Sequence, residues 1–188
     1  MTVHVGLLRA VNLAGVNRVG MADLRDLLAR LGLENGKTLL QSGNVVFRCD
    51  ARSANELESL LEQETRKRLG VPTDWFVRTA AEWKRIVAAN PFPAEAKRDP
   101  GHLLLVCLKE APGRASVAAL QSAIPGREVV RAAGGRHVYA YYPDGVGRSR
   151  LSAALMEKKL GTRGTARNWN TVLKLGALAG SPPPITAG

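Results

Sequence analysis

Two stretches of this chain crowd arginines and neutral hydrogen-bonding side chains against apolar runs. They are Leu7-Leu8-Arg9-Ala10-Val11-Asn12 with Gln41-Ser42-Gly43-Asn44, and Arg167-Asn168-Trp169-Asn170-Thr171. Polar groups beside apolar strands are costly to bury unless paired, so this density points to a built polar site. The pooled types are Arg, Asn, Gln, Ser, Thr and Lys, none of which titrates near neutral pH in its ordinary state. General acid–base catalysis wants a group whose pKa lies near the working pH. The pool therefore favours holding an anionic or polar ligand over moving its protons.

The segment Thr162–Lys174 makes the best local case. Asn168 suits the cap of a helix, and a helix N-terminus presents backbone N–H groups and a positive dipole end to an anion. Arg163 and Arg167 precede that cap, Asn170 and Thr171 follow it, and Lys174 comes one turn later. Arginine matches phosphate or carboxylate in a bidentate way. The same residues have ordinary uses as cap, core and solvated surface. In the loop Val11–Gly20, Asn12, Gly15 and Asn17 can adopt positive φ and shape a backbone anion cradle beside Arg9 and Arg18. Its spacing matches neither the dinucleotide glycine motif nor the phosphate loop. Gln41, Ser42 and Asn44 suit an amide or base edge, or the shaping of a hairpin tip. Ser42 has no histidine or carboxylate near it in sequence to activate it as a nucleophile.

The net charge of +11 is unevenly placed. Residues 1–80 carry 11 Lys and Arg against 9 Asp and Glu, whereas residues 81–188 carry 16 against 7. A basic half favours an anionic small molecule as partner, with nucleic acid as the alternative. Solvated arginine-rich faces would give the same count. No run reaches the roughly 18 apolar residues of a membrane span, so no membrane partner is expected. The start, Met1-Thr2-Val3-His4-Val5, lacks the basic-then-apolar order of a secretion signal. Cys49 and Cys107 lie far apart in strand-like runs, which suits buried thiols in a reducing, cytoplasmic setting. His4, His102 and His137 show no ligand spacing. Neither a metal nor a cofactor is expected.

These residues need elements to position them. Val3–Ala10 reads as a strand, and Met21–Leu31 as a helix with Leu24, Leu27, Leu28 and Leu31 on one face, closed by Gly32. Lys37–Leu40 and Val45–Cys49 flank a hairpin tip at Gln41–Asn44. Ser53-Ala54-Asn55-Glu56 is a capping box opening a helix that ends near Gly70, and Thr73–Arg78 is a strand. A second capping box, Thr79-Ala80-Ala81-Glu82, opens a helix that Asn90-Pro91 ends. The order then repeats: strand His102–Lys109, helix 114–124, strands Glu128–Ala133 and Arg136–Tyr142 around Gly134-Gly135. Ser149 is placed to cap a helix Arg150–Leu160. Strand Thr162–Arg167 and a final helix capped by Asn168 follow. Two βαββαβ copies make an α+β protein of tandem ferredoxin-like repeats with antiparallel sheets and an extra C-terminal helix. The expected division is 1–78, a connecting helix and linker 79–101, 102–180, and a disordered tail 181–188. Strands apolar on both faces, such as Leu103–Leu108, need cover on both.

With these segments in place, the chain resembles the bacterial domain-of-unknown-function family 1697. The matching pieces are Leu7–Asn12 with Gly15 and Asn17, Met21-Ala22-Asp23-Leu24, Gln41–Phe47, Asn90-Pro91-Phe92 and Thr165–Val172. The resemblance implies a tandem ferredoxin-like fold and no activity. Arg18 stands where many members are expected to carry lysine. The residues themselves favour an uncharacterised cytosolic protein that binds a phosphate-bearing anion. The alternatives are a small enzyme acting on a phosphorylated substrate and an interaction module without a small ligand. Base stacking on the sheet face is disfavoured, because strand 3–10 has no aromatic residue. His137, Tyr139 and Tyr141, which share one strand face, are the partial exception.

Overall fold

The computed structural model describes residues 1–11, 18–50 and 52–180. It contains two four-stranded antiparallel sheets with the same strand order, each built by one βαββαβ unit. The first compact unit comprises Met1–Arg85 with the C-terminal stretch from Lys174, and the second comprises Ile86–Leu173.

In the first unit, β1 (Thr2–Leu8), α1 (Met21–Arg30), β2 (Glu34–Leu39), β3 (Asn44–Cys49), α2 (Ala54–Leu69) and β4 (Trp75–Thr79) follow in sequence. The sheet order is β2-β3-β1-β4, with Val5 opposite Val46 and Arg78. Alternation along the strands splits the side chains between two faces. Leu8, Val45, Phe47, Trp75 and Val77 pack with Leu24, Leu28, Leu57 and Leu61 of the helices. Val5, Leu7, Val46 and Phe76 lie on the opposite face and are buried as well, as strands apolar on both sides require.

Both capping boxes form. Ser53 Oγ accepts from the Glu56 N–H while the Glu56 carboxylate accepts from the Ser53 N–H, and Thr79 and Glu82 repeat the exchange. Edge strand β4 gains more than a cap from these acids. The N–H groups of Trp75, Val77 and Thr79 donate to Glu62, Glu58 and Glu82 at 2.9, 2.8 and 2.7 Å. Alternate N–H groups along an edge point outward and would otherwise be orphaned or available to another strand.

α3 (Ala80–Ala88) ends before Asn90, and a short helix absent from the sequence reading, α4 (Pro93–Arg98), occupies the connection. The second unit continues with β5 (Leu103–Leu108), α5 (Arg114–Ala123), β6 (Val129–Arg131), β7 (His137–Tyr141), α6 (Ala153–Leu160), β8 (Gly164–Asn168) and α7 (Trp169–Gly180). Its sheet order is β6-β7-β5-β8. Gly134 and Gly135 both take positive φ, 84° and 73°, but the strands around them stop earlier than a two-residue turn implies. Ser149 does not cap α6. Ser152 does, accepting from the Leu155 N–H, whereas Ser149 accepts from the Leu151 N–H and donates to Glu128. The two serines three residues apart are equivalent as sequence signals, and the carboxylate of Glu128 claims the first.

Candidate functional site

The tip between β2 and β3 is shaped by its own polar groups. Asn44 is fully buried, and its Nδ2 donates to Leu39 O and Ser42 Oγ, each at 2.9 Å. Gly43 has φ +72°, and its carbonyl accepts from the Leu8 N–H at 2.8 Å. A Cβ there would lie 2.7 Å from both Leu8 Cβ and Val11 Cγ2. The end of β1 thus runs directly beside this tip, and Gln41 is exposed on it. Arg9 follows Leu8, but its side chain turns elsewhere. Nη1 reaches Asp74 Oδ2 at 3.3 Å, and the Arg9 carbonyl accepts from Thr73 Oγ1 at 2.7 Å. Asp74 and Thr73 lie more than sixty residues away, with no local signal to announce them. Arg18 is exposed, and Asn12 and Asn17 lie outside the described residues.

The second sheet places the C-terminal motif. On β5, Leu105 stands opposite Tyr139 and Arg167, and Cys107 stands opposite His137 and Thr165. Directly opposed residues on one face of a sheet have Cβ atoms about 5 Å apart. Two rows therefore cross the face away from α5 and α6: His137–Cys107–Thr165 and Tyr139–Leu105–Arg167. Arg167 Nη1 donates to Thr165 Oγ1 at 2.9 Å and to Ala166 O at 2.8 Å. Arg167 retains some accessible surface, yet protein atoms crowd its charge so closely that desolvation pulls its pKa down to about 10. Tyr139 is fully buried and donates to Ile86 O at 2.7 Å, and burial pushes its phenol up to about 12. The Trp169 ring lies 6.3 Å from that of Tyr139 and is buried, as a core residue.

Asn168 caps α7, its Oδ1 accepting from the Thr171 N–H at 3.0 Å. The Trp169 N–H donates to Pro100 O at 3.2 Å. Two amides of the first turn are thus engaged within the protein, so the helix end is a weaker anion cradle than its sequence implies. Asn170, Arg163 and Lys174 are exposed. Cys49 and Cys107 are buried free thiols. Among the described residues, no group of three or more His, Cys, Asp or Glu side chains is arranged to hold a metal, and no helix is long and apolar enough to cross a membrane. One open groove of about 380 Å³ lies in the first unit, lined by Asp23, Asp26, Arg30 and Arg68 with Leu27 and Leu69. It contains none of the candidate ligand-binding residues.

The chain matches, over residues 1–139, the family described as "Protein of unknown function (DUF1697)". It belongs to that family. The matched residues include the β1 and hairpin-tip motifs and stop before Thr165–Thr171. Among solved structures, the chain is similar to the conserved bacterial protein SP0830 from Streptococcus pneumoniae, with a TM-score of 0.74 and 22% identity. That alignment covers 95% of this chain and 98% of the other. At this identity the likeness shows a shared fold alone. Comparison with curated proteins yields no significant match.

Proposed function

We propose that the protein binds an anionic, phosphate-bearing ligand, with Arg167 as the central contact. The observation that carries this reading is the state of the Arg167 guanidinium. It is accessible, yet desolvation by its surroundings outweighs the favourable interactions it makes. Nη1 donates to the Thr165 hydroxyl and the Ala166 carbonyl, which fix the orientation of the guanidinium. An anion placed against such a group gains more than it would against a fully solvated arginine, because the interaction is less screened by water. Asn170 and Arg163, exposed on either side of Arg167 in sequence, supply further donors. The hairpin-tip and β1 residues belong to the first unit and take no part in this reading, Arg9 and Asn44 being bonded within that unit.

Titration calorimetry with inorganic phosphate and pyrophosphate tests the proposal. Arg167→Ala is expected to weaken binding by about 10- to 100-fold, the scale of one charged hydrogen bond. Arg167→Lys supplies a second criterion. The desolvation that lowers the guanidinium would lower an amine from a smaller starting value, so this variant should lose affinity progressively as pH rises above neutral. Unchanged affinity in Arg167→Ala would refute the assignment.

A further inference from the structure

The outer edge of the second sheet carries a set of residues that anion binding at Arg167 does not use. Phe92, at the start of α4, and Tyr141, at the end of β7, have ring centroids 6.1 Å apart. The Arg131 guanidinium lies over the Phe92 ring at 4.8 Å from its centroid, and its Nη1 donates to Pro91 O at 3.3 Å. On the other side, Arg98 Nη2 donates to the Tyr141 hydroxyl at 3.4 Å. The row Arg131–Phe92–Tyr141–Arg98 therefore sets two adjacent aromatic rings between two planar cations. Both arginines are exposed and Tyr141 is partly exposed.

We infer that this edge is a binding surface for single-stranded nucleic acid, contacting its phosphates through Arg98 and Arg131 and a base through Tyr141. Neither arginine forms an ion pair with a carboxylate of the described residues, in contrast to Arg127, which is paired with Asp144. Each is already held by a ring or a hydroxyl, so part of the side-chain entropy lost on binding is spent before a partner arrives. Three of the side chains offer flat faces suited to stacking with any base, a mode that tolerates sequence variation. An acidic peptide would use the charges but not those faces. The surrounding half of the chain carries 16 Lys and Arg against 7 Asp and Glu, which adds long-range attraction for a polyanion. His137 and Tyr139, on the same strand, are buried, so it is the rim of the sheet and not its face that is offered.

Fluorescence anisotropy of the full-length protein with a labelled twelve-nucleotide oligo-uridine, at 50 and 200 mM salt, tests this. The Arg98→Ala/Arg131→Ala variant is expected to bind at least tenfold more weakly. Its salt slope should fall by about 1.4, the value for two phosphate contacts on a single strand. Tyr141→Ala is expected to weaken binding fivefold or more without changing the slope, a signature that charge loss cannot produce. Lys158→Ala/Lys159→Ala removes the same charge from α6 and should stay within threefold of wild type. Thermal melts identify any variant that fails to fold, and Tyr141→Phe then replaces Tyr141→Ala and should retain affinity. The proposal is overturned if wild type does not bind at 50 mM salt, or if the α6 variant loses as much affinity as the Arg98/Arg131 variant. Polyglutamate competing as well as unlabelled oligo-uridine per charge would overturn it too.

Discussion

Glu58 is the residue whose removal should damage the first unit most for its size. It sits on α2 and is almost fully buried, with its Oε1 accepting from the Val77 N–H at 2.8 Å and from Arg78 Nη1 at 3.2 Å. Arg78 is buried to the same degree. In Glu58→Ala the Val77 N–H is orphaned and the Arg78 guanidinium keeps its charge without this carboxylate. Removing one partner of a buried pair costs about 3–5 kcal/mol, a large share of the roughly 5–15 kcal/mol that stabilises a domain. Arg78→Ala should cost less, because Glu58 still has the Val77 N–H as donor. The double variant should be less damaged than the sum of the two, by at least about 1 kcal/mol, since the residues act on each other. Urea denaturation with a shared slope measures all three. If Glu58→Ala lost under about 1 kcal/mol, or the losses added, then neither the edge bond nor the buried pair would matter as described.

Two further outcomes follow from local geometry. Gly43→Ala places a methyl group 2.7 Å from Leu8 and Val11 at φ +72°, so it should cost about 1–3 kcal/mol by urea denaturation and disturb the hairpin tip. His4 is buried on Phe47 with Nδ1 unpartnered, and burial lowers its pKa below the ordinary 6.5. The unfolded chain then binds a proton first as pH falls, so the His4 contribution is complete above pH 6.5 and is lost progressively below it; His4→Phe should flatten the fall in stability between pH 7 and 5.

What could be read from the sequence was what acts over a few residues. Ser53 with Glu56, Thr79 with Glu82, and Asn168 with Thr171 are bonds spanning three positions, and each forms as its spacing predicts. The βαββαβ order follows from such boundaries and from alternation, and the repeat makes the second copy easier to see than the first. α4 escaped because six residues beginning at Pro93 are too short to show a helical period. The glutamates of α2 that bond to β4 escaped for a different reason. Nothing near Glu58 or Glu62 in sequence marks them out from the other acids of α2, and only the packing of α2 beside an edge strand makes them backbone acceptors.

The same distinction separates the two arginines that the sequence presents as equals. Arg9 and Arg167 each end or approach the end of a strand, and each is followed in sequence by asparagines. Arg9 meets Asp74, a carboxylate brought by β4 from 65 residues away, and that contact gives it a structural use in tying strand ends together. Arg167 instead lies in register with Leu105, in a row that also holds Tyr139, so its charge is surrounded by atoms that do not solvate it well. Spacing cannot distinguish these cases, because the decisive neighbours come from other strands. Burial can, since the Arg167 guanidinium carries a desolvation penalty that a bound anion would offset in part. That asymmetry is why the anion-binding reading rests on Arg167 and would survive the loss of Arg9.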